Sequence, residues 1–307
     1  MKKILLALLV ALTITGCDEF TVSVDEDSKQ VINDVVDSIT NKQSGKTRLF
    51  FIYGQSNGSG SAYDIDTEVS ITGEIWDTQL KAPATLVDPT RYDGEYYGSA
   101  WPTFATEYNK ITGDKVIILN ASFGGRKMSE LAEGSHINGR AMTWLNEALE
   151  YYGDEIDSLS MVFVHGESDA AWNTNKDEYF RDLAALSNQV SLMSPVYDTT
   201  YIHRVGISRD PQYDESRQLK FLEFGDEMIA RTVDRPDWKP AFIKAPLFSQ
   251  QNGLKSHDYV HYSMNGYKVM ARSMALNISK YNKGLNIKSA LIEESAALTK
   301  SLKVKFQ

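Results

Sequence analysis

Five apolar, β-rich runs alternate with stretches of helical spacing between residues 48 and 283, and this alternation constrains the fold more than any other feature. The β-rich runs lie at residues 49–53, 116–120, 159–164, 200–207 and 242–245. The helical stretches lie around residues 101–110, 139–152, 176–193, 215–232 and 264–281. Such alternation predicts one α/β domain over residues 48–283, a three-layer α/β/α sandwich in which helices cover both faces of a mainly parallel sheet.

The composition is that of an ordinary globular protein and argues against a nucleic-acid partner. Hydrophobic residues make up 42% of the 307 residues and charged residues 24%, which excludes a disordered or multi-span membrane protein. The formal net charge is −9, and the chain has no cluster of lysine and arginine. Because phosphate binding needs a concentrated basic face, we expect no nucleic-acid partner.

The first seventeen residues are predicted to be a lipoprotein signal peptide. Two lysines follow Met1, residues 4–12 are apolar but too few to span a bilayer, and residues 14–17 (ITGC) look like a bacterial lipobox. Cys17, the only cysteine of the chain, would carry the lipid. We therefore expect a lipoprotein of the bacterial cell envelope, anchored to a membrane and facing the periplasm or the exterior. A chance cysteine behind an ordinary signal peptide is the alternative.

Two further segments flank the predicted domain. Residues 18–47 are polar and acidic without a lasting apolar period, which is typical of a linker. In the tail, residues 284–307, the apolar Leu302, Val304 and Phe306 alternate with lysines. Strict alternation indicates a half-buried strand, so we predict a short C-terminal β-hairpin or truncated β-module there.

Residues 54–58 (GQSNG) place Ser56 in a glycine-flanked turn directly after the first predicted strand. The glycines allow a sharp bend and the close approach of a substrate, so Ser56 is a candidate nucleophile. An ordinary polar turn is the alternative. The segment also fits the G-x-S-x-G elbow of α/β-hydrolases, but its place after the first strand argues against that fold.

Asp258 and His261 are the candidate acid–base pair. They stand three positions apart, which lets the carboxylate accept a hydrogen bond from the imidazole and fix its tautomer. A helix cap is the alternative reading of such a pair. No cysteine of the predicted domain is available as a nucleophile or metal ligand, so a serine–histidine–aspartate arrangement is the chemistry that these residues favour.

Two more polar segments follow predicted strands. Residues 122–125 (SFGG) come after the second strand and could direct the backbone N–H of Gly125 at a developing oxyanion. Residues 165–169 (HGESD) come after the third strand and could orient a histidine or bind sugar hydroxyls. A plain turn and a solvated loop are the respective alternatives. Because the carboxyl ends of parallel strands share one sheet edge, we expect both segments to lie near Ser56.

Together the four segments resemble the conserved blocks of the SGNH-hydrolase superfamily, in particular its sialate O-acetylesterase and acetylxylan esterase branch. The matching residues are 51–57 (FIYGQSN), 124–125 (GG), 165–170 (HGESDA) and 258–261 (DYVH), with Gly266 five residues beyond. The resemblance implies an SGNH-type, flavodoxin-like fold and a serine esterase that removes O-acetyl groups from a carbohydrate without a metal or cofactor.

The resemblance also implies a role for each residue. Ser56 attacks the acetyl carbonyl, His261 takes and returns the proton, and Asp258 orients His261. The backbone N–H groups of Ser56 and Gly125 would bind the oxyanion, together with a side chain of the third segment. The further residues expected to contact the oxyanion or the substrate are Gln55, Asn57, His165, Glu167 and Arg126.

Three positions depart from the family pattern. Gly58 replaces the usual methionine, and His165 replaces the usual glutamine, which puts the third oxyanion donor in doubt. Arg126 stands where a small residue is more usual, and it is either a surface arginine or a contact for an acidic sugar.

Two alternatives to a carbohydrate acetylesterase remain on the sequence. One is a catalytically silent carbohydrate-binding lipoprotein with the same fold. The other is an acyl-esterase or lipase of the same superfamily, which would need a broad apolar groove. Trp172, just after the third segment, is a candidate for contact with a sugar ring.

Overall fold

The computed structural model describes residues 45–65, 70–90, 97–208 and 210–304. The predicted signal peptide, the lipidation of Cys17 and the linker up to residue 44 lie outside these residues. Within the described ranges, none of the helices combines the length and the apolar character needed to cross a membrane. The domain starts slightly before its predicted boundary at residue 48, because the first strand already begins at Thr47.

Seven strands and nine α-helices are described in these ranges. The strands are β1 Thr47–Gly54, β2 Ser70–Asp77, β3 Ala82–Leu86, β4 Lys115–Asn120, β5 Ser158–Val164, β6 Tyr197–His203 and β7 Trp238–Phe242. The helices are α1 Ser56–Ser59, α2 Trp101–Thr112, α3 Met128–Leu131, α4 His136–Tyr152, α5 Glu167–Trp172, α6 Lys176–Met193, α7 Glu215–Ala230, α8 Met264–Asn282 and α9 Lys288–Lys303.

All seven strands form one sheet in the order β3-β2-β4-β1-β5-β6-β7. Every neighbouring pair is parallel except β2 and β3, which are antiparallel at the edge. This confirms the predicted α/β fold with a mainly parallel sheet. β1 lies between β4 and β5, and its last six residues are buried, as expected for a central strand covered on both faces.

Side chains of β1 reach the helices on both faces of the sheet, because successive residues of a strand point to opposite sides. The Phe50 ring makes edge contacts with Phe104 and Tyr108 of α2, at centroid distances of 5.1 and 5.5 Å. Three positions later, Tyr53 donates its hydroxyl hydrogen to the Leu131 carbonyl of α3 at 2.9 Å. The central strand is therefore clamped between two helical layers, which fixes the position of its carboxyl end.

Some predicted strands differ from the structure. The strand predicted at residues 242–245 is in fact β7, which ends at Phe242, and Ala245–Leu247 form a 3-10 helix. The edge strand β3 and its neighbour β2 were not predicted, since their sequences (APATL and SITGEIWD) lack a sustained apolar pattern.

The predicted C-terminal β-hairpin over residues 284–307 is wrong, because Lys288–Lys303 form helix α9. The segment is rich in alanine, leucine, glutamate and lysine, which favour helices. Its buried residues, Leu291, Ser295, Thr299 and Leu302, recur every three or four positions and form one helical face. The alternation that suggested a strand begins only at Leu302, where the helix is about to end.

Candidate active site

The turn after β1 holds the candidate nucleophile where the parallel strands have their carboxyl ends, as predicted. Gly54 has a positive φ of 149°, and a Cβ built there would lie 2.0 Å from the Val164 carbonyl oxygen. Only glycine therefore fits where β1 and β5 approach. The Gln55 N–H then donates to that same carbonyl at 3.0 Å, and α1 begins at Ser56. These main-chain contacts fix Ser56 at the carboxyl end of the central strand.

Ser56, His261 and Asp258 are linked by two short hydrogen bonds. The Ser56 Oγ lies 2.8 Å from His261 Nε2, and His261 Nδ1 lies 2.6 Å from Asp258 Oδ2. An ionised carboxylate can only accept, so Nδ1 carries a proton and Nε2 of the neutral ring accepts from the serine hydroxyl. This is the arrangement in which a histidine can act as general base toward a serine.

The Asp258 carboxylate is held by three further donors. Its Oδ1 accepts hydrogen bonds from the Ser256 hydroxyl at 2.7 Å, from Val260 N–H at 3.0 Å and from His261 N–H at 2.9 Å. Partial burial by itself would raise the pKa of Asp258, but the hydrogen bonds from His261 and Ser256 outweigh it and lower that pKa. Asp258 is therefore ionised at neutral pH and oriented toward the imidazole.

The loop after β4 lies beside the serine. A Cβ built on Gly124 would lie 3.8 Å from the Ser56 Cβ, and the Phe123 N–H donates to the Gly54 carbonyl at 2.9 Å. Gly125 has a positive φ of 69° and lines the same cavity as Ser56. The structure thus brings the predicted oxyanion segment next to the nucleophile.

His165 is not the third oxyanion donor that the resemblance implied. It is fully buried, and burial lowers its pKa, so the ring is neutral and has a single N–H. Its Nε2 lies 2.9 Å from the Arg126 carbonyl, which can only accept, and its Nδ1 lies 3.2 Å from the Tyr179 hydroxyl. The one N–H of His165 therefore supports the backbone next to Gly125 and is not available to an oxyanion.

Gln55 lines the cavity and is oriented by the third segment. Its Oε1 accepts from Gly166 N–H and Ser168 N–H, each at 3.2 Å. Because both partners are donors, the oxygen of the amide must face them, and the Nε2 group is the donor that Gln55 retains.

Asn57 and Glu167 form a buried pair. Asn57 Nδ2 donates to Glu167 Oε1 at 2.7 Å, and Asn57 Oδ1 accepts from Tyr262 N–H at 3.3 Å and from the Tyr267 hydroxyl at 3.1 Å. Asn57 therefore joins the nucleophile turn to the loop that carries His261. Glu167 lines the cavity, where it can meet a substrate.

The cavity at Ser56 has a volume of about 700 Å³ and a partly aromatic wall. Trp172 is 70% exposed, and the Lys127 Nζ lies 4.8 Å from the centre of its ring. Arg126 lines the cavity, and its Nη1 lies 3.0 Å from Glu130 Oε1, so an acidic side chain already pairs with this guanidinium. The aromatic residues that line the cavity are Tyr63, Tyr97, Phe123, Trp172, Tyr213 and Phe221.

Some residues of the site were not predicted. Ser256, which holds Asp258, stands two residues before it, and that short spacing is a local signal for a side-chain turn. Tyr63, Tyr97 and Tyr213 come from segments outside the four recognised blocks. The sequence around these three tyrosines gives no indication of a site, because only the fold brings them to the cavity.

Solved structures resemble this chain at low sequence identity. A protein from Arabidopsis thaliana has a TM-score of 0.58 at 16% identity, over 76% of this chain and 98% of the other. NanS has a TM-score of 0.55 at 9% identity, over 78% of this chain and 98% of the other. A carbohydrate acetylesterase from Xanthomonas citri has a TM-score of 0.49 at 15% identity, over 78% of this chain and 57% of the other.

Neither a family model nor a curated protein matches the sequence. The likenesses to the Arabidopsis protein and to NanS confirm the predicted α/β fold. At these sequence identities, the likenesses bear on the fold alone.

Proposed function

We propose that this chain is a serine ester hydrolase that removes O-acetyl groups from a carbohydrate through an acyl-enzyme intermediate. One observation carries the proposal: two hydrogen bonds link Ser56, His261 and Asp258 in a row, a relay with 2.8 Å between Ser56 Oγ and His261 Nε2 and 2.6 Å between His261 Nδ1 and Asp258 Oδ2. This relay opens on a cavity that can admit a substrate. A silent binding protein would have no need of such an alignment.

The reaction follows from the relay. Ser56 Oγ attacks the acetyl carbonyl carbon while its proton passes to His261 Nε2, and the carbonyl oxygen becomes an oxyanion. When the intermediate collapses, His261 gives that proton to the departing sugar oxygen, which leaves an acetyl group on Ser56. A water molecule then loses a proton to His261 and attacks the acetyl carbonyl. The bond between the acetyl carbon and Ser56 Oγ then breaks, His261 returns the proton to that oxygen, and acetic acid leaves and ionises to acetate in solution. Asp258 stays ionised throughout and stabilises the imidazolium.

We assign oxyanion binding to the backbone N–H groups of Ser56 and Gly125, with the Nε2 of Gln55 in place of His165 as the side-chain donor. The support is that all three residues line the cavity, whereas the His165 N–H is engaged with Arg126. Preorganised donors of this kind stabilise the developing charge by about 3 kcal/mol each.

A carbohydrate substrate is supported by the size and the wall of the cavity. A volume of about 700 Å³ far exceeds the need of one acetyl group, so the site accommodates the part of the substrate that carries it. Exposed aromatic rings such as Trp172 offer flat apolar faces on which the C–H face of a sugar ring can pack. The envelope location proposed from residues 1–17 and Cys17 would place the enzyme where extracellular glycans are met.

The test is acetate release by the full chain from acetylated sialic acids, acetylated xylans and other acetylated glycans, with p-nitrophenyl acetate as a small substrate. We expect turnover that the Ser56→Ala variant loses by at least about 10³-fold. The matched control is Ser191→Ala, a half-buried serine of α6 whose hydroxyl bonds to the Asn188 carbonyl, and it should keep full activity.

Other outcomes would point elsewhere. The absence of hydrolysis of every acetate, with retained binding to a glycan array, would contradict the proposal in favour of a silent binder. Faster hydrolysis of acyl chains of eight or more carbons would indicate an acyl-esterase.

A further inference from the structure

The turn that carries the acid–base pair has an unfavourable backbone conformation at its centre. Tyr259, between Asp258 and His261, has a positive φ of 62°. A residue with a Cβ in this region is strained and keeps the conformation only where its surroundings impose it. The contacts that hold the Tyr259 peptide therefore help to fix the positions of Asp258 and His261.

Lys255 supplies one of those contacts. Its side-chain Nζ donates to the Tyr259 carbonyl at 2.9 Å and to the Ile207 carbonyl at 2.7 Å. The Lys255 residue is only 6% exposed, so this ammonium group bridges two backbone segments inside the protein. Hydrogen bonds from a charged donor are stronger than those between neutral groups.

The Ile207 side of this bridge is anchored in the core. Ile207 is fully buried and packs with Leu222 and Leu302. Three residues earlier, the buried Arg204 donates through Nη1 to the Ser295 carbonyl at 3.0 Å and through Nη2 to Thr299 Oγ1 at 2.6 Å. The segment after β6 is thus fastened to helix α9, and Lys255 ties the Asp258–His261 turn to that fixed segment.

We infer that Lys255 is a positioning residue for the proposed esterase reaction. By holding the Tyr259 carbonyl, its ammonium group keeps the turn in the conformation that sets the distance from His261 to Ser56. Without it, the buried Ile207 carbonyl and the partly buried Tyr259 carbonyl lose a donor, and the strained turn relaxes. Misplacement of a catalytic group by about 1 Å costs on the order of 100-fold in rate.

The experiment measures p-nitrophenyl acetate hydrolysis by the full chain and by Lys255→Met. We expect kcat to fall about 10- to 100-fold with KM within about twofold of the parent. The matched control is Lys288→Met, because Lys288 also donates to a backbone carbonyl, that of Arg235 at 2.8 Å, but outside the site. K288M should retain the parent kcat.

Two further measurements separate positioning from general destabilisation. The low-field proton resonance of the bond between His261 Nδ1 and Asp258 should shift or broaden in K255M and remain in place in K288M. A Tyr259→Gly substitution should restore part of the lost kcat when added to K255M, since glycine adopts a positive φ without strain. If K255M does not fold, Lys255→Gln takes its place in both measurements.

The inference is overturned if the lysine variant keeps kcat within twofold of K288M, or if the proton resonance is unchanged while kcat falls. It rests on the proposed function, but the two fail in different ways. A parent chain without esterase activity defeats the proposed function, whereas an active parent with an equally active K255M defeats only the role of Lys255.

Discussion

The nucleophile turn and the acid–base turn meet at one site but are held in place by different means. Ser56 is 8% exposed and is positioned by main-chain contacts between β1 and β5, where Gly54 permits the close approach. The side chains of Asp258 and His261 are 28% and 27% exposed and are held by hydrogen bonds within a loop, from the Ser256 hydroxyl and from main-chain N–H groups. The position of the serine is thus a property of the sheet, whereas that of the base depends on a few hydrogen bonds.

The largest effect on catalysis should come from Asp258→Asn. The amide cannot hold the Nδ1–H tautomer of His261, so we expect kcat to fall by about 10³- to 10⁴-fold. The free energy of unfolding should also fall, because the Asp258 carboxylate accepts hydrogen bonds from Ser256, Val260 and His261 in the folded chain. Asp237→Asn, which removes another carboxylate with a lowered pKa far from Ser56, is the control for kinetics and stability. A D258N variant with a kcat near that of the parent would contradict the claim that the position of the base depends on its hydrogen bonds.

The nucleophile turn should respond to Gly54→Ala with a loss of stability. The new Cβ would lie 2.0 Å from the Val164 carbonyl oxygen, so β1 and β5 must separate. We expect the free energy of unfolding to fall by about 3 kcal/mol or more, measured by urea denaturation. The matched control is Gly139→Ala in α4, where a Cβ meets no atom within 4 Å, and which should be neutral or stabilising by up to about 1 kcal/mol. Equal stability of the two variants would show that the turn is not held by close backbone packing.

The buried His203 and the catalytic Asp258 should affect stability in different pH ranges. Burial lowers the pKa of His203, beneath the site, to about 4. The unfolded chain takes up this proton below about pH 6.5 and the folded chain does not, so stability falls between about pH 6.5 and 4. The lowered pKa of Asp258 affects stability in a different pH range. Its contribution to the free energy of unfolding is present above about pH 4 and is lost only below that pH.

Urea denaturation at pH 7 and pH 5 tests this difference. We expect the free energy of unfolding to be lower at pH 5 by about 2 kcal/mol, with buried His165 acting in the same direction as His203. His203→Gln should reduce this difference, whereas the control His136→Gln, at an exposed position, should leave it unchanged. Identical stability of the parent at both pH values would contradict this account.

The smallest effect is expected at the rim of the cavity. Trp172→Ala should raise KM for an acetylated oligosaccharide about fivefold, through loss of an aromatic contact of about 1 kcal/mol, and should change KM for p-nitrophenyl acetate less. Tyr151→Ala, an exposed aromatic residue outside the cavity wall, is the control. Equal changes of KM for both substrates would remove Trp172 from the sugar-binding surface.

The sequence predicts arrangements of residues that are close along the chain, and it does not predict contacts that only the fold creates. The place of Ser56 could be predicted because a buried strand followed by glycines is a local pattern, and the pairing of Asp258 with His261 could be predicted because three residues separate them. The role of His165 could not, since its partner carbonyl at Arg126 is 39 positions away and only the fold brings them together. Helix α9 was missed because the last few residues alternate, although the whole segment has helical spacing.

Covalent labelling of the full chain with a fluorophosphonate, followed by intact-mass measurement and peptide mapping, tests most directly whether these two turns form a working nucleophile. We expect one adduct, on Ser56, formed at a rate that His261→Ala lowers by at least about 10²-fold. An adduct on a different serine, or labelling of Ser56 at the same rate without His261, would contradict the account.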